Sequence, residues 1–163
     1  MIGRACAAVL ALGVATACTG GDGAKRSTPA STTSSTLVAG TGIGRPNCSP
    51  ATPFDLAEGN ELRGTMTSGS LYGIAMAPHV PPQVGETLKI VWRMTGRGPL
   101  RVSFTDPAGH RVPLAFGPEP HVASTYRRPG DEWGTGFHFS RRGCWHIHLA
   151  RTETRGDVWL QVT

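Results

Sequence analysis

Residues 88–109 read LKIVWRMTGRGPLRVSFTDPAG, in which apolar and polar side chains alternate on both sides of a glycine-containing turn. Successive side chains of a β-strand point to opposite faces, so this alternation predicts strands with one buried face. The Asp-Pro-Ala-Gly sequence at 106–109 places Pro at the second position of a β-turn. The apolar positions of the two strands are Leu88, Ile90, Trp92 and Met94, then Leu100, Val102 and Phe104.

The same pattern recurs along the chain from Cys48 onward. It predicts further strands at 71–76, 112–116, 137–139, 145–149 and 158–162, with weaker ones at 61–66 and 121–125. Pro113 cannot donate a hydrogen bond to a neighbouring strand, so its strand is expected at a sheet edge. Seven to nine short strands without an amphipathic helix predict an all-β antiparallel sandwich, with a closed barrel as the alternative.

The composition limits the kinds of protein that this chain can be. The 163 residues allow one ordinary domain and a tail, and the 22 Gly and 13 Pro fit a turn-rich β protein. A net charge of +5 is small and scattered, so nucleic-acid binding is not expected. No apolar run reaches the roughly 18 residues of a membrane-spanning helix.

The N-terminus has the features of an export signal. Arg4 supplies a positive start, and the apolar run at 5–14 is too short to span a bilayer. Small residues at Ala15 and Ala17 also satisfy the rule for simple secretory cleavage. After this segment, residues 18–46 are rich in Ser, Thr and Gly, and a tether without a core is expected because they bury little apolar surface.

The cysteines agree with export. Cys6 lies inside the expected signal and Cys18 directly follows it, which leaves Cys48 and Cys144 at the two ends of the folded region. An even pair in an oxidising compartment predicts a disulfide between them. The alternative is that Cys144 is a catalytic thiol beside a histidine.

Two parts of the sequence resemble exported bacterial lipoproteins. Ala15-Thr16-Ala17-Cys18 is similar to their lipobox, which implies cleavage before Cys18 and a lipid on its sulfur. Residues 137–147 with the Gly143-Cys144-Trp145 corner, residues 156–162, and Cys48-Ser49-Pro50 resemble immunoglobulin-like domains of uncharacterised function in such lipoproteins. The resemblance implies a signal at 1–17, a tether at 18–46, an immunoglobulin-like β-sandwich at 47–163, and a location on the outer face of the cell membrane.

A histidine pair is the sharpest candidate for chemistry. His146 and His148 are two residues apart on one strand, so both project from the same face at about 6.5–7 Å spacing. His138 is expected on the preceding strand of the same hairpin, and Met76 and His79 offer a soft sulfur and a nitrogen close together. Such residues can bind copper or zinc. The alternative is that this face is simply the solvated side of the strand.

An arginine-rich surface is the second candidate. Arg127, Arg128, Arg141 and Arg142 fall in loops near Trp133, a composition typical of binding surfaces. The partner would be an envelope protein or an anionic wall polymer; the alternative is that these are solvated loop arginines. Trp159 lies opposite the apolar face of its strand and is the expected exposed aromatic.

No catalytic signature is present: the chain has no Gly-x-Ser-x-Gly, no His-Glu-x-x-His and no phosphate-binding glycine loop before a helix. We therefore expect no enzymatic activity and no cofactor. The sequence predicts a lipid-anchored envelope lipoprotein with a non-catalytic binding or structural domain. The alternatives are a copper or zinc carrier, and a module that presents residues 118–133 as a proteinase-inhibitor loop.

Overall fold

The structure is a computed structural model that describes residues 47–122 and 124–163. These residues form eleven β-strands and no helix. The strands are β1 Phe54–Asp55, β2 Glu61–Arg63, β3 Thr65–Met66, β4 Leu71–Met76, β5 Thr87–Met94, β6 Arg101–Thr105, β7 Arg111–Val112, β8 Phe116–His121, β9 Asp131–His138, β10 Gly143–Ala150 and β11 Arg155–Val162. The expected signal and the whole of the expected tether, with Cys18, lie outside the described residues.

The strands form two antiparallel sheets. The six-stranded sheet has the order β1-β2-β4-β5-β9-β8, and the five-stranded sheet has the order β3-β11-β10-β6-β7. Each sheet has two free edges, so the prediction of an all-β antiparallel fold is confirmed and the closed-barrel alternative is wrong. Nothing in the part of the chain that the structure describes is a helix of the length and apolar character needed to cross a membrane.

The structure has more strands than the seven to nine expected, because two segments predicted as single strands change sheets and the short strand β1 was not predicted. Residues 61–66 divide at Gly64 into β2 of the six-stranded sheet and β3 of the five-stranded sheet. A Cβ atom on Gly64 would lie 2.5 Å from Cδ2 of Leu71, so a larger residue at this position would displace the buried Leu71 side chain.

The second division is at Pro113. Residues 112–116 were expected to form one edge strand, but β7 ends at Val112 and β8 begins at Phe116. Both β7 and β8 are edge strands, and β8 contains Pro118 and Pro120, which an edge strand tolerates because they have no N–H to donate. The strand expected at 121–125 is also wrong, because β8 already ends at His121.

The expected hairpin between 137–139 and 145–149 does not form. β9 belongs to the six-stranded sheet and β10 to the five-stranded sheet, so residues 139–142 carry the chain from one sheet to the other. β9 pairs with β5 and β8, and β10 pairs with β6 and β11. His138 and His146 are therefore on different sheets.

Aromatic rings fill the space between the sheets. Phe104 of β6 stacks on Trp145 of β10 at 4.7 Å between ring centroids, and its edge-to-face contact with Phe137 of β9 spans 5.0 Å. Trp92 and Phe139 complete the group through edge contacts. All five rings are at most 1% exposed, which agrees with the inward faces expected from the alternation.

The predicted disulfide is confirmed. Cys48 is bonded to Cys144 of β10 across 96 positions of the sequence. The backbone N–H of Cys48 also donates to Oε1 of Gln161, which is directly opposite Cys144 on β11. The disulfide therefore joins the start of the described domain to the centre of the five-stranded sheet.

We expect the double variant Cys48→Ala/Cys144→Ala to lose about 2–5 kcal/mol of unfolding free energy, because a long loop is no longer closed in the unfolded chain. Urea denaturation of the oxidised protein measures this loss. The matched control, Cys6→Ala/Cys18→Ala, removes two cysteines outside the disulfide and should keep the wild-type value. Loss of less than about 1 kcal/mol would contradict the prediction.

Candidate functional site

The alternation along β10 separates core from surface. Trp145, Ile147 and Leu149 are fully buried between the sheets. His146 and His148 lie on the outer face of the five-stranded sheet, where their side chains are partly exposed. The two imidazoles therefore face solvent on the same side of one strand.

Both histidines converge on one carboxylate of the neighbouring strand. Nε2 of His146 lies 2.7 Å from Oδ1 of Asp157, and Nδ1 of His148 lies 2.8 Å from the same oxygen. Asp157 is directly opposite His148 in the β10–β11 register. Asp157 was not among the residues predicted from the sequence, because placing it opposite His148 requires the length of the loop at 151–154, which the sequence leaves open.

The histidines control the ionisation of Asp157. Partial burial raises the pKa of this carboxyl, but hydrogen bonds from His148 and His146, together with their charge, hold it below its usual range. Since the folded-state pKa is the lower one, Asp157 stabilises the fold above the unfolded-state pKa. That contribution is lost as the pH falls through the folded-state pKa.

Trp159 is next to this cluster, on β11. Its indole ring stacks on the imidazole of His146 with 3.9 Å between ring centroids and 9° between ring planes. The ring expected to be an exposed aromatic therefore covers one face of His146 and restrains its orientation.

The other metal-ligand candidates do not join this cluster. Nδ1 of His138 is 3.2 Å from Oγ1 of Thr87, on the opposite sheet. His79 pairs with the carboxylate of Glu86. Met76 lines a groove on the outer face of the six-stranded sheet. The set of His138, His146 and His148 that the sequence suggested is thus divided between two surfaces.

The groove follows one row of residues across the six-stranded sheet. Glu61, Ile74, Val91 and Gly134 are successive partners across β2, β4, β5 and β9. Val91 lies on the face of β5 opposite to the inward residues Ile90 and Trp92, yet it is only 4% exposed. Residues of the 124–128 segment line the groove beside it. Ile74 and Val91 form an apolar floor.

An ionic network closes one side of the groove. Nε of Arg128 is 2.7 Å from Oε1 of Glu61, and Nη2 of Arg128 is 3.2 Å from Oε2 of Glu58. The Tyr126 hydroxyl donates to Oε1 of Glu61 at 2.9 Å. Burial and this contact with Glu61 raise the pKa of Tyr126, so its hydroxyl stays a donor. The network anchors the 124–128 segment to β2.

Two positively charged side chains of the groove are not part of this network. Lys89 and Arg127 line the same space, and neither forms an ion pair within the residues that the structure describes. The cavity holds about 530 Å³, within the usual range for ligand pockets. An apolar floor with free positive charge suits a ligand that has apolar faces and negative groups.

The arginine-rich surface expected from the sequence is not one surface. Arg127 and Arg128 line the groove, whereas Nε of Arg141 lies 3.6 Å from a carboxylate oxygen of Asp106, in the turn after β6. Arg142 is exposed beside the C-terminal end of β11. The two arginine pairs share no contact among the described residues.

Trp133 is not available to a partner, because it is 6% exposed and packs in the core. The guanidinium of Arg151 lies 4.7 Å from its ring centroid. Arg151 is itself buried and donates to the carbonyl oxygens of Gly98 and Met94. The pair is therefore part of the fold. The loop expected at 118–133 is also shorter, since β8 and β9 leave only residues 122–130 between strands.

We expect the carboxyl pKa of Asp157 to rise in the variant His146→Ala/His148→Ala, because the hydrogen bonds are removed while the carboxylate remains. NMR titration of the Asp157 side-chain carbon measures the change. The control His138→Ala, on the other sheet, should leave the titration unchanged. A pKa that is the same in wild type and the double variant would show that the histidines do not control this carboxyl.

Comparison of the chain with protein-family profiles, with curated protein sequences and with solved structures gave no match.

Proposed function

We propose that this chain is an exported, lipid-anchored protein of the bacterial cell envelope that binds an anionic wall polymer without catalysing a reaction. The observation that carries the proposal is the groove on the outer face of the six-stranded sheet. Its floor of Ile74 and Val91 is apolar, and Lys89 and Arg127 carry positive charge free of ion pairs within the described chain.

The chemistry of this groove matches a charged glycan polymer. Sugar rings present C–H faces that can pack on Ile74 and Met76, while phosphate or carboxylate groups of the polymer meet Lys89 and Arg127. Arg128 serves the framework instead, because Glu61 and Glu58 neutralise its charge. A positive groove also draws a polyanion toward itself over a distance set by the ionic strength.

Two features support the proposed location in the cell envelope. Ala15-Thr16-Ala17-Cys18 resembles a lipobox, and the Cys48–Cys144 disulfide suits an oxidising compartment outside the cytoplasm. We also propose that the domain is immunoglobulin-like. Two antiparallel sheets around a buried tryptophan on a central strand support this assignment.

We expect Cys18→Ser to move the protein from the membrane fraction to the medium, because the lipid attachment site is removed. Cell fractionation and the intact mass of the chain measure this. The wild-type mass should begin at Cys18 and include acyl groups, and the control Cys6→Ser should stay in the membrane. An unlipidated wild-type chain in the medium would instead establish simple secretion.

We expect the variant Lys89→Glu/Arg127→Glu to bind isolated envelopes at least about tenfold more weakly than wild type, since two charges that meet the polymer are reversed. Sedimentation of the purified protein with its own envelopes measures binding. The control Arg97→Glu/Arg155→Glu changes the net charge equally at exposed positions away from the groove.

Each outcome of this experiment decides the proposal. Loss confined to the groove variant, with binding that survives protease treatment of the envelopes, supports polymer capture in the groove. Equal loss in both variants means that binding is non-specific attraction, which contradicts the groove. Loss of wild-type binding after protease treatment means that the partner is a protein, and the polymer assignment is then wrong.

A further inference from the structure

We propose that His146, His148 and Asp157 form a binding site for one divalent transition-metal ion of the zinc or copper class. Each of the three residues offers a ligand atom within 4.8 Å of those of the other two. Nε2 of His146 and Nδ1 of His148 are 2.7 and 2.8 Å from Oδ1 of Asp157. This site is on the outer face of the five-stranded sheet, so it does not depend on the proposed groove in the other sheet.

The chemistry of the donor set selects the class of ion. Two imidazole nitrogens with one carboxylate oxygen suit zinc and copper, whereas calcium and magnesium prefer oxygen ligands. Each imidazole nitrogen that faces Asp157 gives up its hydrogen bond and binds the metal through its lone pair; its proton is released or moves to the other ring nitrogen. Three protein ligands leave a position of a tetrahedral ion open to solvent.

The spacing of the ligand atoms is close to that of a coordination sphere. Metal–ligand bonds of about 2.0–2.1 Å place neighbouring tetrahedral ligands roughly 3.3 Å apart. The two histidine nitrogens are 2.7 and 2.8 Å from the aspartate oxygen, so each would move away from it by about half an ångström. The ligand atoms of the two histidines, at most 4.8 Å apart, would close to the same spacing. Small rotations of the three side chains accomplish this, because all three are partly exposed.

The strands hold the ligands in place. β10 and β11 pair over eight residues without a register shift, and Asp157 is fixed opposite His148 by that ladder. Trp159 stacks on the ring of His146 and restrains its orientation. Ligands on rigid strands with an orienting neighbour lose little entropy when a metal binds.

Neighbouring charges leave the site accessible. On β6, Ser103 is opposite His148, and its hydroxyl oxygen accepts a hydrogen bond of 2.7 Å from Nη2 of Arg111. The guanidinium is therefore engaged with the adjoining strand rather than with Asp157. The carboxylate of Asp157 has only the two histidines as ion-pair partners among the described residues.

The test is calorimetric titration of the full chain, disulfide intact, with Zn²⁺ and separately with Cu²⁺. Cys6 and Cys18 are replaced by serine in every sample, because free thiols bind both ions. We expect one equivalent of metal per chain. His146→Ala, His148→Ala and Asp157→Asn should each weaken binding at least about tenfold.

Two controls are matched to these variants. His138→Ala removes a histidine from the other sheet, and His110→Ala removes an exposed one from the β6–β7 turn. Both should bind metal as wild type does. Equal weakening in the control variants, binding no tighter than millimolar, or an Asp157→Asn variant with wild-type affinity would each overturn the three-ligand site.

A spectroscopic measurement keeps the test valid if a variant fails to fold. The electron paramagnetic resonance spectrum of the wild-type chain with one equivalent of Cu²⁺ should show coupling to two imidazole nitrogens. Quenching of Trp159 fluorescence should saturate at the same equivalence, because its ring lies against His146. Coupling to no imidazole nitrogen, or to three or more, would contradict the proposed ligand set.

Discussion

The contact of Phe104 with rings from both sheets is the interaction on which the rest of the structure depends. Phe104 lies in the five-stranded sheet, where it stacks on Trp145, and its ring meets Phe137 of the six-stranded sheet. Aromatic pairs in this geometry add stabilisation beyond the apolar area that they bury. Side chains alternate between the two faces of a strand. Because these rings point into the core, the residues on either side of each ring in the same strand point outward.

Both candidate sites follow from that placement. On β10, inward Trp145 and Ile147 leave His146 and His148 on the outer face beside Asp157. On β4 and β5, the residues that alternate with the buried ones point to the outer face of the six-stranded sheet. Among them are Ile74, Lys89 and Val91, which form a groove with the 124–128 segment. The two sites lie on different sheets. A change of side chain in one therefore need not disturb the other, which makes their separate roles experimentally accessible.

Ionic contacts in the two sites have different roles. Arg128 is bound by Glu61 and Glu58, and Tyr126 adds a hydrogen bond to Glu61, so this network holds a segment against the sheet. The carboxylate of Asp157 instead has partners that are themselves good metal ligands. A partly exposed ion pair contributes little to stability. The arrangement of these side chains is thus more informative about ligands than about the strength of the fold.

The sequence by itself determined the all-β antiparallel class, the inward faces of β5, β10 and β11, and the pairing of Cys48 with Cys144. The strands and their inward faces follow from the alternation of apolar and polar residues, which is a local property of the sequence. The disulfide follows from the number of cysteines left in the folded region. Only the tertiary structure decided that the segments around Gly64, Pro113 and 139–142 pass between sheets, because strand pairing depends on contacts distant in sequence. For the same reason it separated His138 from His146 and Arg141 from Arg128, and brought Asp157 to the histidines. The face of the sheet on which a side chain lies can be predicted from the neighbouring residues of its own strand. Which strand pairs beside it depends on how the whole chain packs.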